Sequence, residues 1–167
     1  MADPVSQRIP ESPDEQLSPA QIATLSGIDF MRGMLAGRLP GAPIARLADM
    51  HLAEVREGEV VFEGDPRFAH YNPIGSVHGG WFGILLDSAM ACAVMTRLPR
   101  GTGYTTLEYK INILRPVFES TGAVRAIGRS IHAGRRTATA EGRLEDAAGR
   151  LYATGTTTCL VMELSGI

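Results

Sequence analysis

The sequence predicts an α+β domain in which an antiparallel β-sheet wraps around one long buried helix. A nearly uninterrupted apolar run from Trp81 to Met95 follows a glycine-rich loop, as is typical of a helix buried on all sides. Four segments with strand-like alternation come after it, joined by short turns, at about 103–116, 122–133, 136–146 and 150–163. One buried helix followed by consecutive hairpin-linked strands favours this layered arrangement.

A strand hairpin and a helical extension are predicted before the buried helix. Residues 50–63 alternate like two strands around a central turn, and they belong to a main domain predicted over 45–163. The pair Ser18-Pro19 is typical of a helix start, and apolar residues at helical spacing follow it, so 18–44 is predicted as a helical extension. Residues 1–17 carry three prolines among polar residues without periodicity, which predicts a disordered tail.

The first strand after the helix shows the clearest alternation. One of its faces carries apolar side chains, those of Leu107, Tyr109, Ile111 and Ile113. The other carries polar side chains, those of Thr106, Glu108, Lys110 and Asn112. Because successive side chains of a strand point to opposite faces, Thr106 and Glu108 are predicted to share the polar face.

Composition and charge exclude several classes of protein. The net charge of −2 provides no basic surface, so no nucleic-acid partner is expected. Cys92 and Cys159 lack the spacing of metal ligands or of a disulfide framework, and we expect two buried free thiols and no metal. The first residues lack a signal-peptide pattern, and the apolar run is shorter than the roughly 18 residues of a membrane span. A cytoplasmic protein without a membrane partner is therefore expected.

Asp87 is the residue whose position most needs a reason. A carboxylate inside a buried helix is costly unless it is paired or functional. Gly79 would begin the same helix, where free N–H groups and the helix dipole favour negative charge, and this suits the oxyanion of a carbonyl under attack. Asp87 can then serve as a nucleophile or as a base that activates water. The alternative is a structural acid that caps a neighbouring loop.

The spacing of these two residues predicts a homodimer. Gly79 and Asp87 are eight residues apart, which is about 12 Å along one helix. An oxyanion donor and an attacking group must both lie within about 3–3.5 Å of the same carbonyl group. One chain cannot easily supply both, whereas two antiparallel helices related by a two-fold axis can. We therefore predict two sites at the interface of a homodimer.

An ordered set of motifs resembles a known family. The set comprises Asn72, His78-Gly79-Gly80, Asp87, Thr106-Leu107-Glu108 and Leu114-Arg115-Pro116. In this order and spacing, over about 45–163, it resembles the hotdog-fold acyl-CoA thioesterases of the phenylacetyl-CoA thioesterase (PaaI) type. The resemblance implies a hydrolase that cleaves an acyl-CoA thioester to a free acid and coenzyme A. It also implies no cofactor beyond the coenzyme A of the substrate, and assembly as a homotetramer built from two dimers.

The resemblance also implies roles for the catalytic residues. The Gly79 amide would polarise the thioester carbonyl, and His78 would shape the loop before it. Asp87 would be the essential carboxylate, Asn72 would position the water or the nucleophile, and Thr106 would lie beside the carboxylate. Simpler structural roles stay open, since His78 can serve only to bond the loop, Asn72 can be a turn residue and Thr106 a strand residue.

Four further residues are candidates for substrate binding. Gly80 lets the backbone approach a ligand closely, and the bulky Trp81 would narrow the acyl pocket, which the N-terminal helices would partly cover. Arg135 and Arg136 are candidates for the phosphates of coenzyme A, because arginine recognises phosphate well, and an ordinary surface role beside a turn stays open for both. Two other functions stay open on the same fold: a non-catalytic acyl-CoA-binding module, and a hydratase of enoyl or hydroxyacyl thioesters.

Overall fold

The computed structural model describes residues 7–164, and this part of the chain contains four α-helices and six β-strands. The helices are α1 (Pro19–Ala23), α2 (Gly27–Leu35), α3 (Ile44–Leu47) and α4 (Gly79–Met95). The strands are β1 (Met50–Arg56), β2 (Glu59–Gly64), β3 (Thr102–Ile113), β4 (Val124–Ala133), β5 (Thr137–Asp146) and β6 (Leu151–Glu163).

The six strands form one antiparallel sheet in the order β1-β2-β4-β5-β6-β3. The helix α4 contacts all six strands, so the sheet wraps around it. β1 and β3 are the two edges, and they border the side of α4 that the sheet leaves uncovered. This arrangement confirms the predicted α+β hotdog architecture with its buried central helix.

The central helix is apolar around most of its surface, as expected of a helix that the sheet and the N-terminal helices enclose. Its 17 residues include the fully buried Phe82, Leu85, Leu86 and Met90. The sheet comes so close that a Cβ on Gly128 of β4 would lie 2.2 Å from the backbone of α4, so only glycine fits there. Within residues 7–164 no helix is long and apolar enough to cross a membrane.

The predicted helical extension consists of α1 and α2, which lie against the domain. Ser18 caps α1 and forms a reciprocal capping box with Gln21, as expected of this start signal. At the start of α2, a Cβ on Gly27 would lie only 1.7 Å from the carbonyl oxygen of Met95, the last residue of α4. This contact between backbones holds α2 directly against the end of the central helix.

The structure differs from the prediction of a disordered tail over residues 1–17. Residues 1–6 lie outside the described residues, but Gln7 is joined to the edge strand β1. Its side-chain carbonyl accepts a hydrogen bond from the Leu52 N–H at 3.1 Å, and its amide donates to the Leu52 carbonyl. An edge strand offers such backbone groups, so a polar segment without periodicity can still pack against the domain.

A β-bulge at Leu107 overturns the predicted alternation of β3. Thr106 pairs with Cys159, and Glu108 pairs with Thr158, the residue before Cys159 on β6. No residue of β6 is left to pair with Leu107, which is therefore the extra residue of the bulge. Thr106 hydrogen bonds to α4, and the Tyr109 hydroxyl also lies against α4, at Gly83. Thr106 and Tyr109 therefore share the inner face, while Glu108 points to the opposite one. The prediction that Thr106 and Glu108 share a face is wrong because one residue is inserted between them.

Candidate active site

The carboxylate of Asp87 is half-buried in the middle of α4 and is held from the neighbouring strand. The Thr106 hydroxyl of β3 donates a hydrogen bond of 2.9 Å to Asp87 Oδ1. Burial raises the pKa of the Asp87 carboxyl, and the Thr106 hydrogen bond opposes this shift with a smaller effect. Asp87 is therefore oriented by one donor, and its carboxylate is a stronger base than an ordinary one.

Asp87 and Thr106 open into a cavity of about 190 Å³, which we call the Asp87 cavity. Its walls come from the N-terminal segment, β1, β2, α4 and β3, and they are mostly apolar. The apolar lining residues include Ile9, Met34, Met50, Leu52 and Phe62. An apolar cavity with one convergent polar pair is the usual form of a small-molecule site.

The N-terminus of α4 presents a free backbone amide. Gly79 and Gly80 are exposed there, and His78 is the capping residue. The Gly80 N–H donates to His78 Nδ1 at 2.9 Å, whereas the Gly79 N–H meets no acceptor within residues 7–164. Because the helix dipole points its positive end here, Gly79 offers a donor to an external anion or oxyanion.

His78 and Asn72 shape the loop that leads into this helix start. Asn72 Oδ1 accepts hydrogen bonds from the N–H groups of Ile74 at 3.1 Å and of Ser76 at 3.3 Å. Such a side chain closes a turn by replacing a backbone acceptor. In the structure the Asn72 side chain bonds loop groups, whereas the His78 side chain bonds the Gly80 N–H in the first turn of α4. A direct part of either residue in the chemistry stays a prediction.

Trp81 lies in the core and away from the Asp87 cavity. Its side chain is 4% exposed, and its indole N–H donates to the Ala48 carbonyl at 2.8 Å while the ring stacks on His70. Trp81 and Asp87 are six residues apart, a spacing that places them on different sides of an α-helix. Their side chains therefore point in different directions. This position gives no support to the predicted contact of Trp81 with an acyl group. Gly80 lies at the start of α4 and does not line the Asp87 cavity, so its part in substrate binding stays a prediction.

Arg135 and Arg136 form the turn between β4 and β5 and line a separate surface cavity. This cavity, of about 310 Å³, also contains Thr102 and Glu163. The Arg136 carbonyl accepts a hydrogen bond from the Val161 N–H of β6, and Val161 pairs with Tyr104 of β3, so the arginines lie toward the part of β3 that precedes Thr106. Neither arginine lines the Asp87 cavity.

The helix start and the carboxylate lie two turns apart beside the same strand. Ile113 lies against Gly79, Tyr109 against Gly83, and Thr106 against Asp87, so α4 and β3 run antiparallel. Within the described residues the outer edge of β3 pairs with no strand. It nevertheless carries apolar side chains that are about half exposed, those of Leu107, Tyr109 and Ile113. Such an edge is a ready surface for pairing with another strand.

Residues that extend the cavity beyond the carboxylate were not among those predicted from the sequence. Tyr104 lies two residues before Thr106 on the inner face of β3, and its hydroxyl lies 3.8 Å from the sulfur of Cys92. Burial raises the pKa of Cys92 to about 12, so its thiol stays protonated at neutral pH and is no competing nucleophile. The two-residue spacing from Thr106 is a signal that can identify Tyr104 in the sequence. For the N-terminal helices, the sequence predicted that they partly cover the pocket but did not indicate which of their residues line it.

Comparisons with known proteins agree with this fold. The thioesterase superfamily model matches residues 74–153, a stretch that includes Gly79, Asp87 and Thr106. No curated protein sequence matches the chain significantly.

Several solved structures are similar over most of the chain. A phenylacetic acid degradation-related protein from Ralstonia eutropha JMP134 is 30% identical over 78% of this chain and 98% of its own, with a TM-score of 0.71. A mutant of the phenylacetic acid degradation protein PaaI from Thermus thermophilus is 30% identical over 71% and 97%, with a TM-score of 0.63. A Haemophilus influenzae thioesterase, 21% identical over 72% and 83% with a TM-score of 0.67, shares the fold. The chain therefore belongs to the thioesterase superfamily, as a hotdog-fold thioester hydrolase of the PaaI type.

Proposed function

We propose that the protein hydrolyses acyl-CoA thioesters to a free acid and coenzyme A, at two sites of a homodimer. The observation that carries the proposal is the half-buried Asp87 carboxylate, held by Thr106 at the wall of an apolar cavity. In the reaction, oxygen attacks the carbonyl carbon and the carbon–sulfur bond breaks. The sulfur leaves as a thiolate of coenzyme A and then takes up a proton.

Asp87 promotes the attack on the thioester carbonyl in one of two ways. It attacks the carbonyl carbon itself and forms an anhydride that water then hydrolyses, or it removes a proton from the attacking water. Both routes need the ionised carboxylate. The raised pKa of Asp87 makes the group a better base and nucleophile than an exposed carboxylate, while the Thr106 hydrogen bond holds it in one orientation.

The oxyanion donor comes from the partner subunit in this proposal. The Gly79 N–H of one chain lies about 12 Å along α4 from its own Asp87. If two β3 edges pair across a two-fold axis near Tyr109, each helix start approaches the Asp87 of the other chain. The same pairing covers the half-exposed apolar side chains of Leu107 and Ile113. Pairing of two such dimers into a tetramer is a further proposal, which rests on the family resemblance.

Arg135 and Arg136 are proposed to bind the phosphates of coenzyme A. They line an open cavity separate from the Asp87 cavity, and the pantetheine arm would span the distance between the carboxylate and these guanidinium groups. Guanidinium groups suit this task because they bind phosphate oxygens through two parallel hydrogen bonds.

The proposed activity is tested by thiol release from a panel of acyl-CoA thioesters. The panel contains phenylacetyl-, benzoyl-, butanoyl-, octanoyl- and decanoyl-CoA, and a thiol-reactive chromophore follows the free thiol while chromatography follows the acid. We expect thiol and acid in equal amounts from at least one member. Binding without thiol release would favour a binding module, and conversion of an enoyl thioester without thiol release would favour a hydratase.

The same assay tests the two arginines. Replacing both Arg135 and Arg136 by alanine is expected to raise KM for acyl-CoA about 10-fold or more, because two charge-assisted contacts to phosphate are lost. The matching thioester of N-acetylcysteamine lacks the phosphates, so its kcat/KM should change little. An equal loss with both substrates would contradict phosphate binding by these residues.

The hydrogen bond from Thr106 predicts a shift in the pH profile. Thr106→Val keeps the shape of the side chain but removes the donor that lowers the pKa of Asp87. The pKa then rises further, so the acidic limb of kcat/KM should move to higher pH, with activity lost as pH falls through the new pKa. Thr106→Ser retains the hydroxyl and should keep the original limb. An unchanged limb in Thr106→Val would mean that Asp87 is not the group that titrates.

A further inference from the structure

A second apolar cavity adjoins the Asp87 cavity on the side of the N-terminal helices. It measures about 250 Å³, and we call it the distal cavity. Five residues line both cavities, namely Met34, Gly41, Ala42, Cys92 and Tyr104. The residues that line only the distal cavity include Ile22, Phe30, Met31 and Met95. The two cavities are therefore adjacent at these five residues, which we call the junction, with Asp87 lining one cavity and residues of α1 and α2 lining the other.

The length of this path fits an extended hydrocarbon chain. It follows α4 from Asp87 to Met95, eight residues that correspond to about 12 Å. With a C–C bond of about 1.5 Å, an extended alkyl chain advances roughly 1.3 Å per carbon, so this length accommodates about nine carbons. A phenylacetyl group is shorter and would occupy the Asp87 cavity alone, leaving the distal cavity without a ligand.

The partly buried polar side chains along the path have protein partners, and Gln16, which also lines the distal cavity, is exposed. The Ser88 hydroxyl donates to the Ile84 carbonyl at 2.7 Å within α4. Gln7 bonds the backbone of Leu52, and the Tyr104 hydroxyl lies beside the sulfur of Cys92. A chain without polar substituents can therefore lie along the path without leaving a buried donor or acceptor unpaired.

The N-terminal segment that forms the far wall is fixed at several points. The Gly41 N–H donates to the Arg8 carbonyl at 2.8 Å, and the Arg46 guanidinium donates to the Ile9 carbonyl at 3.1 Å. The backbone contact at Gly27 holds α2 against the end of α4. Through these contacts, residues 7–42 form a fixed wall of the path. This segment also lies outside the part of the chain that the superfamily model matches.

We propose that the N-terminal segment 7–42 closes the acyl site and selects unbranched acyl chains of roughly eight to ten carbons. The thioester carbonyl lies at Asp87, the chain passes the junction beside Met34, and its methyl end lies under α1 and α2 near Ile22. This inference rests on the proposed acyl-CoA thioesterase function and adds the class of acyl group and the residues that set its length.

Two variants test the path from opposite directions. Met34→Trp narrows the junction, so the ratio of kcat/KM for decanoyl-CoA to that for butanoyl-CoA should fall about 30-fold or more, since each buried methylene contributes several-fold. Ile22→Ala enlarges the far end, so the preferred chain should become longer by one or two carbons. Leu25→Ala removes the same kind of side chain from the same region without lining either cavity, and it should leave the chain-length profile unchanged.

Binding of alkyl-CoA thioethers, which cannot be hydrolysed, separates this inference from the proposed activity. Calorimetry should show that wild type binds decyl-CoA more tightly than butyl-CoA and that Met34→Trp removes most of this difference. If decyl-CoA binds in this way but no thioester is cleaved, the proposed function fails and the acyl path stands. If thioesters are cleaved with no preference for long chains, or if all three variants show the same profile, the acyl path is overturned and the hydrolase stands.

Discussion

Replacing Asp87 by asparagine is expected to lower kcat about 10²- to 10⁴-fold, the range that a positioned base or nucleophile contributes. The amide has the same shape and can still accept the hydrogen bond from Thr106, but it cannot attack a carbonyl or take a proton from water. KM should change much less, because the apolar cavity that holds the acyl group is intact. The measurement is thiol release under saturating and limiting acyl-CoA.

The Asp87→Asn variant is expected to stay folded, so that a loss of activity reports on the chemistry and not on unfolding. Burial raises the pKa of Asp87, so the folded protein binds this proton more tightly than the unfolded chain does. The contribution of Asp87 to stability is therefore greatest at low pH and is lost as pH rises through the raised pKa. At neutral pH the buried carboxylate is charged, and its desolvation lowers the stability of the folded protein. Asp87→Asn removes that cost, so its Tm at neutral pH should equal or exceed that of wild type.

Glu108→Gln provides the matched control for the loss of a carboxylate. Glu108 lies two residues from Thr106, but the bulge at Leu107 turns it to the opposite face of β3. Its substitution should leave kcat within about 2-fold of wild type, as expected for a surface change away from the site. Full activity in Asp87→Asn, or an equal loss in both variants, would exclude Asp87 as the catalytic carboxylate.

The second large effect is expected from Gly79→Pro. Gly79 is the first residue of α4, a position where proline is well tolerated because its missing N–H makes no bond within the helix. The preceding residue must be extended, and His78 is, with φ −64° and ψ 139°. The substitution thus deletes one amide while keeping the helix, and kcat should fall about 10²- to 10³-fold if that amide binds the oxyanion.

Gly79→Ala separates the loss of the amide from the addition of bulk. A Cβ at this position would lie 3.3 Å from the end of the Ile113 side chain, which is flexible enough to move slightly. Alanine keeps the N–H, so kcat should stay within a few-fold of wild type. If alanine and proline reduce kcat equally, crowding at Ile113 explains the loss, and the amide has no role in the oxyanion site.

Mixing the two inactive variants tests whether each site spans two subunits. A heterodimer of Asp87→Asn and Gly79→Pro contains one site with both substitutions and one with neither. Random pairing in equal amounts makes half of the dimers mixed, so about a quarter of the wild-type activity should return. Subunits exchanged through partial denaturation, or co-expressed with two different tags, provide the mixed dimer. If no activity returns although mixed dimers form, the sites do not cross the interface.

Much of the fold could be predicted because its signals are local. The apolar run of α4, the glycines at its start and the turns between strands repeat at the period of their own element, and the structure matches them within a few residues. The pairing of Asp87 with Thr106 was predicted from the family resemblance alone. It is observed as a hydrogen bond between two elements that follow one another in the chain.

The sequence by itself determined the central helix, the succession of strands along the chain, and the choice of Asp87 and Gly79 as candidates. Only the tertiary structure decided the bulge at Leu107, the burial of Trp81 against Ala48, and the distal cavity beneath the N-terminal helices. Periodicity records which face of an element is apolar, because each residue contributes to its own helix or strand. An inserted residue, the direction of a buried ring and the closure of a cavity depend on packing between segments far apart in sequence, which no local pattern records.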